Sequence, residues 1–401
     1  MRLTSLTALF LRRKAFNWWY HQLLVVVPAL FKLEPKESLE ELYDFEKELE
    51  ELRRGYEDGR IVAVLGLRRM GKSSLLRSFL NSFSIPHVYI DARRVAVATG
   101  RATTRGFMEE VGRALAEFMR REAPLRDKLA EALRRVRGVS VGLSPVTVTL
   151  SWGRERADLI SLMEAVDEVV GRAGRRLALA IDEAQELRGI GVDIPRLLAY
   201  IYDNLHNVVV FVSGSQVGLL YDVLKLDSPQ SPLYGRAVFE VKMRRLRREE
   251  AVDFLKRGFQ QAGIHVSQRE LEEAVDSLDG IIGWLTYFGW SRVVGAKSLE
   301  EILDAAARQE AEEISRFLAK SRSEARYRAV LKAVAARPMR WSEIKRVLEA
   351  EEGAAVDDRN LTDLLHRLEK VGLLEKREGL YAIPDPVVRL AVERYISKAP
   401  A

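Results

Sequence analysis

Residues 61–73 read Ile61-Val-Ala-Val-Leu65 and then Gly66-Leu-Arg-Arg-Met-Gly71-Lys72-Ser73. The apolar run predicts a buried strand, and the residues after the loop have the apolar spacing of a helix. Between them, Gly66 and Gly71 allow the backbone to curl so that its N–H groups face a phosphate. The segment matches the pattern G-x-x-x-x-G-K-[ST] without deviation, with the strand and helix that this pattern requires on either side.

The side chains of this loop have predicted tasks toward a nucleotide. Lys72 is expected to reach the β- and γ-phosphates, where the helix start adds partial positive charge. The Ser73 hydroxyl is expected to ligate Mg²⁺. The predicted nucleotide-binding residues are Gly66, Leu67, Arg68, Arg69, Met70, Gly71, Lys72, Ser73 and Ser74. We therefore predict that the chain binds ATP or ADP together with Mg²⁺.

A second apolar strand ends in two acids. Leu177-Ala-Leu-Ala-Ile181 precedes Asp182 and Glu183, so the strand delivers both carboxylates to the sheet edge beside the phosphate loop. Asp182 is expected to hold Mg²⁺ and Glu183 to orient and deprotonate the attacking water. Ordinary helix-capping acids are the alternative, which the phosphate loop upstream disfavours. The pair predicts Mg-dependent hydrolysis of ATP to ADP and phosphate.

Two further segments offer candidates for catalysis. The strand at 208–212 runs into Ser213-Gly-Ser215, and either hydroxyl can sense phosphate or hold water if this strand neighbours the other two; a simple turn is the alternative. Arg236 follows a proline-rich loop, and a loop arginine near the nucleotide can neutralise the charge that develops during phosphoryl transfer. It can act in its own chain or in a neighbouring one, and an uninvolved surface arginine is the alternative.

Strands alternate with helices up to residue 212, which indicates an α/β fold with a parallel sheet covered on both faces. Helices are predicted at 38–52 and 107–137, and a β-hairpin at 139–150. After about residue 246 the strands stop, and residues 324–395 have the helix and strand order of a winged helix. We predict an N-terminal segment at 1–34, an ATPase core at 35–245, a helical lid at 246–321 and a winged-helix domain at 322–401.

Composition narrows the classes of function. The 401 residues include no cysteine, which excludes disulfides, zinc–thiolate sites and cysteine nucleophiles. The net charge of +6 permits an anionic partner without showing one. Polar residues interrupt the apolar stretch Phe16–Phe31, which is shorter than the ~20 apolar residues that span a bilayer. We expect no integral membrane role and a cytoplasmic location.

The charges of the C-terminal module bear on its partner. Residues 357–371 carry four acidic and three basic side chains, a net charge of −1, and the predicted wing at 375–378 is neutral. DNA affinity depends mainly on neutralising phosphates. Contact with an unidentified protein, or autoinhibitory docking, is therefore favoured over DNA binding, which stays open.

Five segments together resemble the archaeal P-loop ATPases, an AAA+-like family near the signal-transduction ATPases with numerous domains. They are Gly66 to Ser73, Asp182-Glu183, Ser213 to Ser215, Tyr234 to Arg236 and Gly283-Trp-Leu-Thr-Tyr-Phe-Gly289. The resemblance covers about residues 31–395, and the last segment is its most specific part. It implies a RecA-like core, a helical lid and a C-terminal winged helix.

The sequence departs from that family at two places. Ile282 stands where the lid string usually has a proline, and Asp44-Phe45-Glu46 stands where the N-terminal signature usually reads Asp-Arg-Glu. In that family, the lid string takes part in sensing the nucleotide, and the N-terminal signature contacts the adenine side of the nucleotide. Neither affects the predicted phosphate chemistry.

Two functions follow as hypotheses. In the first, the chain is an ATP-driven switch whose nucleotide state sets the position of the lid and the winged helix. In the second, it is an initiator or regulator of the origin-recognition type, which ATP locks onto DNA. Nucleotide-dependent oligomerisation is compatible with both.

Overall fold

The computed structural model describes residues 27–97, 100–153, 156–225, 228–321 and 323–397, so most of the predicted N-terminal segment lies outside the described residues. Within these ranges, an α/β core leads into a helical lid and then a winged helix. This order agrees with the fold class that the sequence predicts.

The core strands are β1 (Ile61–Leu65), β2 (His87–Asp91), β3 (Val139–Leu143), β4 (Val146–Leu150), β5 (Leu177–Asp182), β6 (Val208–Gly214) and β7 (Val238–Lys242). Five of them form a parallel sheet in the order β2-β5-β6-β1-β7. Strands β3 and β4 pair as the predicted hairpin. Because β6 lies between β1 and β5, its polar end faces both the phosphate loop and the acidic strand.

The core helices are α1 (Glu46–Asp58), α2 (Lys72–Ser82), α3 (Thr104–Arg121), α4 (Ala123–Arg134), α5 (Leu159–Arg172), α6 (Ile194–Asn204) and α7 (Val217–Leu224). The predicted helix at 107–137 is wrong as one element, because Pro124 opens a second helix there. The predicted helix at 38–52 is wrong in its first half, where Asp44 has a positive φ of 50° and its carboxylate binds Arg244 instead.

The sheet separates two apolar layers. Strand residues alternate between them, so that Ile61 and Ala63 pack toward helices α3 to α6, whereas Val62 and Val64 pack toward α1, α2 and the lid. All five residues of β1 are buried. This two-sided burial explains why the strand is a continuous apolar run and why its loop is held at a fixed place on the sheet edge.

The lid consists of α8 (Arg248–Gln261), α9 (Gln268–Leu278) and α10 (Ile282–Gly295), and α11 (Leu299–Ala319) connects it to the next domain. The family-specific string lies on α10. Phe31, fully buried, packs its ring directly over Gly289, where a Cβ atom would come within 2.4 Å of it. The glycine is therefore required by close approach of the N-terminal segment to the lid.

The C-terminal unit contains α12 (Glu324–Ala336), β8 (Met339–Arg340), α13 (Trp341–Glu352), α14 (Asp358–Lys370), β9 (Glu375–Arg377), β10 (Leu380–Ala382), α15 (Pro386–Ala391) and a π-helical turn at Val392–Ile396. Its strands form a sheet in the order β8-β10-β9, as in a winged helix. Helix α14 packs against α7 of the core, where Lys370 pairs with Asp222 at 2.7 Å. Among the described residues, no helix is long and apolar enough to cross a membrane.

Candidate functional site

The phosphate loop has the backbone shape that its glycines predict. Gly71 has a φ of +85° and is followed at once by α2, whose first N–H groups lack intrahelical acceptors. Lys72 is 4% exposed, and its Nζ donates to the carbonyl oxygens of Gly66 at 2.9 Å and Leu67 at 2.8 Å. Burial lowers the pKa of Lys72 to about 8. The loop therefore encloses the Lys72 ammonium group, at the place where a phosphate would bind.

Asp182 lies at the centre of the site. It is fully buried, and its Oδ2 accepts hydrogen bonds at 2.8 Å from both the Ser73 Oγ and the Tyr89 hydroxyl. The Ser213 hydroxyl donates to its other oxygen. The structure therefore brings the predicted metal-binding residues, Ser73 and Asp182, into direct contact, together with a predicted serine of β6.

Glu183 follows in a left-handed conformation with a φ of +53°. Its Oε2 accepts from the Ser215 N–H at 3.1 Å, the Ser215 Oγ at 2.7 Å and the Gln185 Nε2 at 2.5 Å. Burial opposes its ionisation, but Lys72 and these hydrogen bonds together hold the pKa of Glu183 below its usual value. Glu183 is thus an ionised carboxylate at neutral pH, as a general base requires.

A cavity of about 470 Å³ opens beside the loop. Its lining combines the polar residues of the loop with side chains from the N-terminal segment and the lid: Phe45, Gly71, Lys72, Ser73, Ser74, Arg93, Glu183, Ile282, Thr286 and Tyr287. The volume lies within the range of pockets that hold small ligands. Its polar end at the loop and its apolar wall at Phe45, Ile282 and Tyr287 fit a nucleotide.

The oxygen atoms at Ser73 and Asp182 also fit Mg²⁺. Magnesium is bound in such sites by one or two carboxylates, substrate phosphates and several waters, rather than by a cage of protein ligands. No cluster of three or more metal-ligating His, Cys, Asp or Glu residues occurs among the described residues. When bound, the ion would neutralise charge on the β- and γ-phosphates.

Two arginines of the loop point toward other domains. Arg69 packs its guanidinium over the Trp284 ring at 3.8 Å and donates to Glu310 of α11 at 3.2 Å. The Arg69 carbonyl accepts from the Gly283 N–H at 2.8 Å, and Arg68 forms an ion pair with α11. Trp284, 1% exposed, donates to the Asp385 carboxylate at 2.9 Å. We call Arg69, Trp284, Glu310 and Asp385 the junction cluster.

Other predicted site residues have different positions. Met70 is buried in the core, and the Ser74 hydroxyl accepts the Lys36 N–H at 3.1 Å. Arg236 forms an ion pair with Asp203 and is not among the residues that line the cavity. The structure therefore does not bring Arg236 to the nucleotide site of its own chain, because its guanidinium binds Asp203 of α6 instead. A role on a neighbouring chain stays a prediction.

Three residues of the site were not predicted from the sequence. Tyr89 binds Asp182 from β2, Gln185 binds Glu183, and Arg93 approaches Asp182 to 3.7 Å. The roles of Tyr89 and Arg93 depend on β2 lying next to β5, which only the strand order shows. Gln185 stands two residues after Glu183, and that proximity is the one signal that could have found it.

A parallel sheet in which β6 separates the phosphate-loop strand from the acidic strand, followed by a lid and a winged helix, defines a P-loop ATPase with an AAA+-like fold. Residues 42–288 match the ATPase domain family that occurs predominantly in Archaea, and residues 320–383 match the C-terminal winged helix-turn-helix domain of MCM proteins. The chain belongs to this archaeal ATPase family.

Solved structures agree with this assignment. A Walker-type ATPase of Pyrococcus abyssi is 32% identical, with a TM-score of 0.77 over 90% of this chain and 99% of that chain. The ORC2 protein of Aeropyrum pernix, in ADPNP and ADP complexes, is 12% identical, with a TM-score of 0.58 over 92% of this chain and 96% of that chain. The latter similarity shows the fold alone. No curated protein matches the chain.

Proposed function

We propose that this ATPase binds Mg-ATP in the cavity beside Lys72, hydrolyses it, and uses its nucleotide state to set the positions of the lid and the winged helix. The observation that carries the switch is the junction cluster, because Arg69 of the phosphate loop contacts Trp284 and Glu310 on the lid side, and Trp284 in turn donates to Asp385 of the winged-helix domain. Since ATP is the intracellular energy carrier, we place the protein in the cytoplasm.

The proposed chemistry assigns each group a separate task. Lys72 exchanges its carbonyl partners for phosphate oxygens, and Ser73 and Asp182 hold Mg²⁺. Glu183 orients the attacking water and accepts its proton. Ser213 fixes the Asp182 carboxylate, and Ser215 fixes Glu183, so both serines position acids in the free protein.

The proposed coupling follows from the contacts of Arg69. A triphosphate on the loop attracts the Arg69 guanidinium, which contacts Glu310 and Trp284. Any movement of Arg69 changes its packing on Trp284, whose indole N–H is bonded to the domain that contains Asp385. Nucleotide can shift the domain arrangement only to the extent that these contacts differ between the two states.

Two variants test the enzyme assignment. Lys72→Ala is expected to abolish nucleotide binding, because the loop loses its cation. Glu183→Gln is expected to bind ATP normally and to hydrolyse it at least ~100-fold more slowly, which is the lower end of a general base's contribution. Phosphate release and binding titrations, with and without Mg²⁺, measure both. Normal turnover by purified Glu183→Gln would refute its role as the base.

Because the sequence contains no cysteine, introduced cysteines can be labelled at chosen positions, and this allows a direct test of the switch. Cysteines introduced at exposed Asp127 of the core and exposed Glu351 of the winged helix can be labelled with a donor and an acceptor dye. Energy transfer is expected to differ between the ADP complex and that with a slowly hydrolysed ATP analogue. Equal transfer with both nucleotides bound would contradict the switch and leave the ATPase assignment intact.

We propose a protein as the partner of the winged helix. Helix α14, the helix that would enter a DNA groove, is partly covered by α7, and residues 357–371 around it have a net charge of −1. Release of α14 from Asp222 would expose a surface for a partner or for a second copy of the chain. Sedimentation with ADP and with the ATP analogue tests nucleotide-dependent oligomerisation.

DNA binding is the second candidate, favoured by the match of residues 320–383 to the MCM winged helix. Titration of duplex DNA at two salt concentrations separates the candidates. Strong affinity that falls steeply with salt would establish DNA as the partner. Weak affinity with little dependence on nucleotide would favour the protein partner.

A further inference from the structure

Arg93 lies at the sheet edge where the phosphates are expected. Asp91, the last residue of β2, is in register with Asp182 of β5. Arg93 follows in a 3₁₀ helix (Ala92–Ala96) whose N-cap is Asp91. The strand pairing therefore places this arginine beside the acid that is proposed to hold the metal.

The Arg93 guanidinium is oriented by a bidentate ion pair. Its Nε and Nη2 donate to the two oxygens of Asp91, each at 2.8 Å, and Nη2 lies 3.7 Å from Asp182 Oδ2. A planar guanidinium group that binds a carboxylate through two N–H donors has a fixed orientation. Although its side chain is 51% exposed, the arginine is thus presented to the cavity in a defined orientation.

The charge around the loop is unevenly distributed. Arg68 and Arg69 are bound by acids of α11, on the side of the lid and the winged helix. Arg93, from the 3₁₀ helix after β2, lines the cavity together with Arg68, Arg69, Lys72 and Glu183 and has its ion pair with Asp91 of the core instead. Mg-ATP retains negative charge at its terminal phosphate, and a guanidinium group has five N–H donors, so Arg93 can donate to a phosphate oxygen while two of its N–H groups bind Asp91.

We propose that Arg93 binds the γ-phosphate within its own chain and gives the site its preference for ATP over ADP. The proposal rests on the proposed binding of Mg-ATP in this cavity. Arg93 thereby takes the role toward the terminal phosphate that the sequence suggested for Arg236. Because the β-phosphate is held by the loop amides and Lys72, loss of Arg93 affects only nucleotides that have a third phosphate.

The test compares affinities of the full-length protein for ADP and for a slowly hydrolysed ATP analogue, with Mg²⁺ present. Arg93→Ala is expected to weaken analogue binding roughly 10- to 100-fold, the range for a lost charge-assisted hydrogen bond, and to leave ADP binding within about 2-fold. Arg93→Lys is expected to recover part of the loss, because it keeps the charge but not the fork.

Arg94→Ala is the matched control. Arg94 belongs to the same 3₁₀ helix but forms an ion pair with Glu110 and is not among the residues lining the cavity. It is expected to leave the ratio of the two affinities unchanged. An equal ratio in Arg93→Ala and Arg94→Ala would overturn the proposal, as would equal weakening of both nucleotides by Arg93→Ala. If the wild-type protein binds neither nucleotide, the proposed function itself fails.

Discussion

Replacement of Arg69 by methionine tests the junction cluster directly. Methionine retains much of the packing on Trp284 but removes the charge that faces Glu310. Glu310 is 6% exposed, and its only side-chain hydrogen bonds among the described residues come from Arg69. The substitution therefore leaves a carboxylate buried without its cation.

The contacts set the expected magnitude. Removing one partner of a buried ion pair costs about 3–5 kcal/mol, and this Arg69 side chain is only 22% exposed, so little of the effect is lost to solvent. Glu310→Gln keeps an acceptor for Arg69 and is expected to cost about 1 kcal/mol. In the double variant no buried charge is left without a partner, so a coupling free energy of about 2–3 kcal/mol between the two substitutions is expected.

The pH dependence provides a second readout. Burial raises the pKa of Glu310 above its ordinary value. A carboxyl group with a raised pKa in the folded state binds its proton more readily when folded, so stability falls as pH rises from the unfolded pKa through the folded one. The loss caused by Arg69→Met is therefore expected to be smaller at acidic pH than at pH 8.

Urea unfolding of the nucleotide-free protein, followed by circular dichroism, measures these free energies. Arg68→Met is the control, because the Arg68 side chain is 56% exposed and its pair with α11 is expected to contribute under about 1 kcal/mol. A loss below about 1 kcal/mol in Arg69→Met, or additive effects in the double variant, would refute the buried-pair reasoning.

Two further predictions concern the loop lysine and the lid. Burial lowers the pKa of Lys72 to about 8, and contact with phosphate needs its charged form, so nucleotide affinity is expected to fall by up to about tenfold per pH unit above pH 8. Calorimetric titrations at pH 7, 8 and 9 measure this affinity. An affinity that does not change over this pH range would contradict the prediction. Gly289→Ala places a methyl group within 2.4 Å of the Phe31 ring and is expected to destabilise the protein by about 1–3 kcal/mol in urea unfolding. Combining it with Phe31→Ala removes the clash, so a double variant no more stable than expected from addition would contradict the steric explanation.

The phosphate loop and the buried strands were predictable because their signals are local. A continuous apolar run followed by the loop pattern identifies β1, and an apolar run followed by two acids identifies β5. Strand β7 was not predicted, because it is an edge strand whose side chains are mostly half-buried and mixed in polarity. Local pattern therefore identifies buried apolar strands better than a half-buried strand of mixed polarity.

Residues whose roles depend on tertiary contacts were not predictable. Arg93 reaches the site only because β2 pairs with β5. The predicted helix at 38–52 is interrupted at Asp44, whose carboxylate binds Arg244, 200 residues further along the chain. Trp284 and Gly283 belong to a recognisable string, but their contact with Arg69 appears only in the folded chain. The sequence indicated that the string is specific to the family, and the structure shows which residues the string contacts.

The bonds of Lys72 to two carbonyl groups of its own loop have a consequence for how ligand affinity is to be understood. The carbonyl oxygens of Gly66 and Leu67 satisfy this buried ammonium group from within the loop. In the proposed mode of nucleotide binding, phosphate oxygens replace these peptide oxygens. A measured dissociation constant reports the difference between these two sets of partners, rather than the full strength of either.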